Sequence, residues 1–224
     1  MTDQILVDVA ATARMLAAAG LVEAFGHVSA RTDRGFAITS TRPLAGATVG
    51  DVITVEEGVA VSGPMKEAPL ELAMHAAVFS ARPDVGAICR GHPPATVVWG
   101  VGTDELPLLH GLGGMSGGVV RVHPDVELIK SVESAAAVAD TLGSDHSVLL
   151  RANGALSVGV DLVEAATRLW YLEERARVVL DWQRLGSDTA PVDQQIWRRR
   201  LADSVPELVR AKQWFMAEFA REGE

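Results

Sequence analysis

A chain of 224 residues, 48% of them apolar, is long enough to bury one sizeable core, and its mixed charge excludes a disordered segment. The net charge of −9 argues against nonspecific binding to nucleic acid or to an anionic membrane. The single cysteine, Cys89, excludes an internal disulfide; no apolar run reaches bilayer length and no basic-then-apolar leader opens the chain, so a cytoplasmic protein is expected.

Thr2 or Asp3 is placed to cap a first helix reaching about Ala19, with Ile5, Val9, Thr12, Ala13 and Leu16 on one face and Gly20 closing it. LVEAFGHVSAR follows, in which Gly26 permits a tight turn and His27 and Ser29 come directly after. Residues 28–32 and 35–39 read as paired strands around Asp33-Arg34. Ser40, Thr41 and Arg42 then offer two hydroxyls and a planar fork suited to carboxylate or phosphate. The plainer readings are a solvated loop charge for Arg42 and a turn residue satisfied by backbone for His27. Residues 49–55 and 59–61 read as two further strands around the turn Glu56-Glu57-Gly58.

The stretch from Pro69 to Pro94 holds the densest chemistry. Leu70, Ala73, Met74, Ala77 and Val78 recur at helical spacing, and Glu71 and His75, four apart, share one face. Arg82-Pro83 ends that helix, because the residue before proline is pushed out of helical geometry. Residues 85–89 are fit for a covered strand, after which Arg90 and His92 emerge as polar groups in need of partners. A helix-borne carboxylate beside a basic pair at a strand end is a reaction-site pattern; a surface ion pair and a turn is the plainer alternative.

Residues 95–101 read as a short helix, and LPLLHGLGGMSGG (106–118) as a Gly-rich loop that lacks the Gly-Lys-Ser/Thr of a phosphate loop. That loop is either mobile or donates His110 to a pocket. Residues 119–122 read as a strand, 131–142 as an alanine-rich helix closed by Gly143, and 147–150 as a buried strand running into Arg151-Ala152-Asn153-Gly154. Asn-Gly is a strong turn former by itself. Asp161 caps a long helix, and a linker at 187–191 leads to a C-terminal helical segment with Trp197, Trp214, Phe215 and Phe219, in which Pro206 breaks or restarts the helix.

Glu71, His75, Arg82-Pro83-Asp84-Val85 and His92-Pro93-Pro94, together with GHVSAR and LLRANGAL, resemble the class II aldolase/adducin family over roughly residues 5–180. The resemblance implies an α/β (α+β-like) three-layer fold with a central, mostly antiparallel sheet flanked by helices. It assigns residues 1–185 to that domain and leaves 186–224 as a helical segment packing on the same domain or a neighbouring subunit. It also implies a homo-oligomer, tetrameric in the family. Metal-dependent members hold zinc with a His-x-His pair and a later histidine, and the first and last of these fall on Arg90 and Asn153 here. Arginine has no free lone pair and Asn is a poor zinc ligand, so the three-histidine site cannot form. GHVSAR resembles a subgroup that includes decarboxylases of hydroxylated aromatic acids, and its His27 argues against a sugar phosphate.

Three readings stand. In the favoured one, a lyase acts on a small anionic, carboxylated substrate, aromatic or a hydroxy acid, by decarboxylation, elimination or aldol-type cleavage. Glu71 is the general acid/base, Arg90 supplies the fixed charge a metal would have given, and His92 and Asn153 donate hydrogen bonds; His27, Ser29, Ser40, Arg42 and His110 bind substrate. The second is a divalent-metal (Fe, Mn or Zn) aldolase or oxygenase with a shifted site of Glu71, His92 and His110. The third is a non-catalytic, adducin-like scaffold. The first is favoured because Glu71 and His92 are retained and the substitutions are polar.

Overall fold

The computed structural model describes residues 2–57, 59–186, 192–201 and 205–220. Its elements in chain order are helix α1 (Thr2–Ala18), strands β1 (His27–Thr32), β2 (Gly35–Thr39), β3 (Val52–Glu56) and β4 (Val59–Ser62), helix α2 (Leu72–Ala81), strand β5 (Ala87–Gly91) and helix α3 (Pro94–Trp99). Strand β6 (Arg121–His123), helix α4 (Val132–Leu142), strands β7 (Ser147–Leu150) and β8 (Ala155–Gly159), and helices α5 (Leu162–Arg184), α6 (Gln194–Leu201) and α7 (Val205–Phe219) complete it.

The strands form one eight-stranded sheet in the order β4-β3-β2-β1-β5-β8-β7-β6. β6 runs parallel to β7; the other neighbouring pairs are antiparallel. Successive strand residues point to opposite faces, so each strand feeds two cores. Val28, Ala30, Ala87, Cys89 and Ala155 pack with α1 and α5 residues such as Leu16 and Leu169. Phe36, Ile38, Ile88 and Leu156 pack with Met74 and Val78 of α2 and Val138 of α4. The expected three-layer arrangement is therefore present. The alternation also places His27, Ser29 and Arg90 on the α2 side, since their neighbours Val28, Ala30 and Cys89 face the other way.

Several boundaries differ from expectation for identifiable reasons. β5 begins at Ala87, not at Val85, because residues 82–85 form a turn closed by the Val85 amide on the Arg82 carbonyl. The Arg31 guanidinium locks that turn by donating to the carbonyls of Phe79, in the last turn of α2, and of Arg82 and Val85 beyond it. The shift takes Arg90 and Gly91 into the strand. Residues 49–51 form a single 3₁₀ turn before β3, held by a capping box between Thr48 and Asp51. The helix expected at 95–101 runs Pro94–Trp99, β6 starts at Arg121, and Ser131 caps α4 without joining it. Asp161 caps α5 as expected, accepting from the Glu164 amide, and Gly20 and Gly143 close their helices with positive φ. The linker at 187–191 and the capping side chains of Thr2 and Asp3 lie outside the described residues.

The Gly-rich loop is strapped down. Arg175 is wholly buried and donates to the carbonyls of Leu106, Pro107, Gly117 and Gly118. Arg168 donates to the Met115 carbonyl while paired with Glu164. Two buried guanidinium groups on one helix thus satisfy the backbone of a loop with few side chains of its own. At the C-terminal end, Pro206 lies in the first turn of α7, where a proline is tolerated. Trp214 meets Trp170 of α5 at 4.7 Å between ring centroids, and Lys212 pairs with Asp161 at 2.6 Å.

Candidate active site

A cavity of about 410 Å³ opens where β1 and β5 meet the start of α2. Its polar wall includes His27, Thr41, Glu71, Arg90, His92 and Asn153. His27 and Arg90 are register partners across the β1–β5 ladder, so both project to the same face. Glu71 is the residue before the first turn of α2 and not, as expected, a residue within the helix; it is buried and aimed back at the sheet. Its Oε2 lies 3.3 Å from Arg90 Nε, an ion-pair distance off the line of a hydrogen bond, and its Oε1 has no protein partner. Arg90 is 0% exposed and also donates from Nη1 to the Gly91 carbonyl. Gly154, at φ +80°, follows Asn153 in the tight turn into β8; a Cβ there would come within 2.2 Å of the Gly91 carbonyl oxygen.

Unpaired polar atoms gather here. His27 Nδ1, Glu71 Oε1, Arg90 Nε and His92 Nδ1 are all buried without a hydrogen-bond partner, as is Nε2 of His75 behind the wall. Such atoms each cost about 1–3 kcal/mol when left unpaired, so their concentration at one cavity marks a place where a polar ligand supplies the partners.

The histidines are held neutral. Burial, with Arg90 and then His92 adding to it, lowers His27 to about 3. Burial and then Arg90 lower His92 to about 4, against the opposing pull of the Phe25 carbonyl and the Asn153 side chain. Burial, His27 and Arg90 push His75 well below its ordinary value. The unfolded chain protonates these rings near pH 6.5, and the folded chain does so only at lower pH. Below pH 6.5 the unfolded state therefore binds more protons, so this part of the stability is complete above pH 6.5 and falls as pH drops toward 3. A wholly buried histidine contributes a slope of about 1.4 kcal/mol per pH unit in that window. Urea unfolding should show lower stability at pH 5 than at pH 7, and His27→Gln should reduce the difference; an equal pH slope in the variant would show that His27 is protonated in the fold.

The remaining expected residues are placed elsewhere. Ser29 lies behind the wall, 2.7 Å from His75 Nδ1. Ser40 is buried with its amide bonded to the Asp51 carbonyl, and its neighbour Thr41 reaches the cavity instead. The Arg42 fork is occupied by Glu67 at 2.5 and 2.9 Å and by Asp51 at 2.7 Å. His110 lies against Gly113, with Glu174 and Arg175 nearby, and does not line the cavity. Phe25, Leu70 and Leu128 form an apolar rim that sequence reasoning did not assign to the site. Leu70, expected on the buried stripe of the helix, precedes α2 and is 67% exposed.

Zinc does not suit these residues. The Arg90 guanidinium occupies one of the three relevant positions and has no lone pair, Asn153 offers an amide at another, and His92 is the single imidazole of the set. Glu71, His92 and His110 are not brought together, and no group of three His, Cys, Asp or Glu side chains among the described residues converges as metal ligands.

The fold and the sequence both have relatives. L-fuculose-1-phosphate aldolase from Thermus thermophilus is 28% identical, with 85% of this chain and 100% of that chain covered and a TM-score of 0.71. YgbL from Klebsiella pneumoniae, for which aldolase, epimerase and decarboxylase activities are all proposed, is 22% identical over 89% and 99% of the two chains, with a TM-score of 0.78. The L-fuculose 1-phosphate aldolase of Glaciozyma antarctica is 20% identical over 98% and 92%, with a TM-score of 0.77. At their identities the last two establish the fold alone. No curated protein matches. The family described as Class II Aldolase and Adducin N-terminal domain matches residues 7–180, the span that holds the sheet and every residue of the cavity wall, and the chain belongs to that family.

Proposed function

We propose that this chain is a lyase-type enzyme that takes a small carboxylated substrate into the cavity and works there without a metal. The observation that supports this reading is the wholly buried Arg90 guanidinium beside the Glu71 carboxylate in the cavity wall. A guanidinium fork matches a carboxylate; the Gly91 carbonyl takes one of its N–H groups, and Glu71 faces its Nε as an ion-pair partner without a hydrogen bond. Glu71 Oε1, buried without a protein partner at the cavity wall, takes or returns the proton. His27, His92 and Asn153 hydrogen-bond the substrate from the surrounding wall. Decarboxylation, elimination and aldol-type cleavage each leave negative charge beside the breaking bond, and a fixed cation in a buried wall stabilises it.

The 28% identical aldolase is named for a sugar phosphate, which makes sugar-phosphate cleavage the competing reading. The commitment of Arg42 to Glu67 and Asp51 weighs against it, because that loop then has no free cation from this side chain. The chain is further proposed to be a cytoplasmic homotetramer, its segment 186–224 packing on the domain or on a neighbour.

Melting temperature in a panel of small aromatic and hydroxy acids, with inorganic phosphate and glycerol phosphate beside them, tests the assignment. A substrate-like acid at one hundred times its dissociation constant should stabilise the fold by about 2.7 kcal/mol. A response to glycerol phosphate alone would favour the sugar-phosphate reading, and no response to any anion would favour a scaffold. Light scattering on the same sample should give a tetramer; a monomer would refute that part.

A further inference from the structure

We propose that Ser29 and His75 are positioning residues for His27, fixing which of its ring nitrogens presents a hydrogen to the cavity. The proposal rests on reading the cavity as an active site, but its test needs no substrate.

Four residues buried in α2 face the sheet: Met74, His75, Val78 and Phe79. Three are the apolar side chains such a helix face requires, and His75 is the exception. It is 0% exposed, as is Ser29 opposite it on β1. Ser29 Oγ and His75 Nδ1 lie 2.7 Å apart, while His75 Nε2 has no protein partner. A core-filling residue at 75 has no need of either nitrogen; phenylalanine would occupy similar space without burying them. The pair persists next to a third polar group. The His27 ring stands edge-on to His75, with centroids 6.2 Å apart and planes at 77°, and its own Nδ1 is buried and unpaired. Ser29 and His27 are two apart on β1, so they project to the same face beneath α2.

The chemistry follows from the tautomers. A neutral imidazole has one N–H and one bare nitrogen. If the Ser29 hydroxyl donates to His75 Nδ1, the His75 hydrogen resides on Nε2, and the ring presents one fixed dipole to its neighbours. The charged and titratable groups around His27 are Arg90 and His92 from β5 and its exit, and His75 and Glu71 from α2 and its entry. The Arg90 charge favours the His27 tautomer whose bare nitrogen faces it, and a fixed His75 dipole beside the ring biases the same choice. The N–H is then left for the substrate.

Long-range ¹H–¹⁵N spectra of the histidine-labelled chain at pH 7 read each tautomer directly. In the wild-type chain His75 should carry its hydrogen on Nε2, and His27 should show two well-separated ring nitrogens, one protonated and one bare. In Ser29→Ala the two His27 nitrogens should move toward their average as the tautomers mix, and Ser29→Thr, which keeps the hydroxyl, should restore the separation. His75→Phe should mix them as well, and it serves as the reading if Ser29→Ala does not fold. Unchanged His27 nitrogens in a folded Ser29→Ala or His75→Phe chain would overturn the proposal, as would a His75 hydrogen on Nδ1. Failure of every acid to bind, with these spectra as expected, would count against the proposed reaction and leave the positioning role intact.

Discussion

Glu71→Gln should lower turnover of the responsive acid by about 10²–10⁴-fold while changing its binding little. Gln keeps the shape of the side chain and an oxygen facing Arg90 but removes the counter-charge of the buried guanidinium 3.3 Å away, so the variant's melting temperature is read beside its turnover. What is lost is the capacity of Oε1, unpaired in the protein, to accept and return a proton. An interaction made only as the proton moves should appear in kcat and leave KM nearly unchanged. Full activity in the variant would reduce Glu71 to the counter-ion of Arg90 and pass the proton to a neutral histidine of the wall, His27 or His92.

The layers of the fold were legible because each strand alternates and each helix has a stripe. Val28, Ala30, Ala87 and Cys89 against Ile38, Ile88 and Met74 reproduce the two-sided pattern that a covered sheet demands. The family pattern led to Glu71, Arg90, His92 and Asn153, and the structure gathers these with His27 around one cavity. The local misreadings have a common cause in side chains acting at a distance. Nothing near Arg31 in sequence says that it will cap the end of α2 some fifty residues on, which moved the start of β5. Nor does α5 announce that Arg168 and Arg175 will strap the Gly-rich loop. Arg42 looked free because Glu67, its partner, is twenty-five residues away. Leu128, in a stretch without periodicity, gave no signal of its place on the cavity rim.

Arg90→Lys should keep the positive charge yet weaken acid binding by about tenfold to a hundredfold, the worth of one charge-assisted hydrogen bond. A lysine ammonium is a point donor that cannot hold a carboxylate in a fork while also facing Glu71 and the Gly91 carbonyl. Arg90→Leu should fare worse. It leaves the buried Glu71 carboxylate without its cation, and breaking such a pair costs about 3–5 kcal/mol, so loss of fold would accompany loss of function. The comparison with a metal sharpens the expectation for chemistry. A bound divalent ion brings two units of charge and several directed bonds; Arg90 brings one unit and a plane of donors. That suits an acid already activated toward decarboxylation or elimination better than cleavage of an unactivated aldol. Dialysis against EDTA should therefore leave turnover unchanged, and added Fe(II), Mn(II) or Zn(II) should not raise it. Zinc affinity should appear only when Arg90→His and Asn153→His are combined, because either change alone gives two imidazoles including His92, and an open zinc site takes three protein ligands. Activity lost to EDTA and regained with one of those ions would sink the metal-free reading, and would mean that Glu71 and His92 find further ligands that the described residues of a single chain do not bring together.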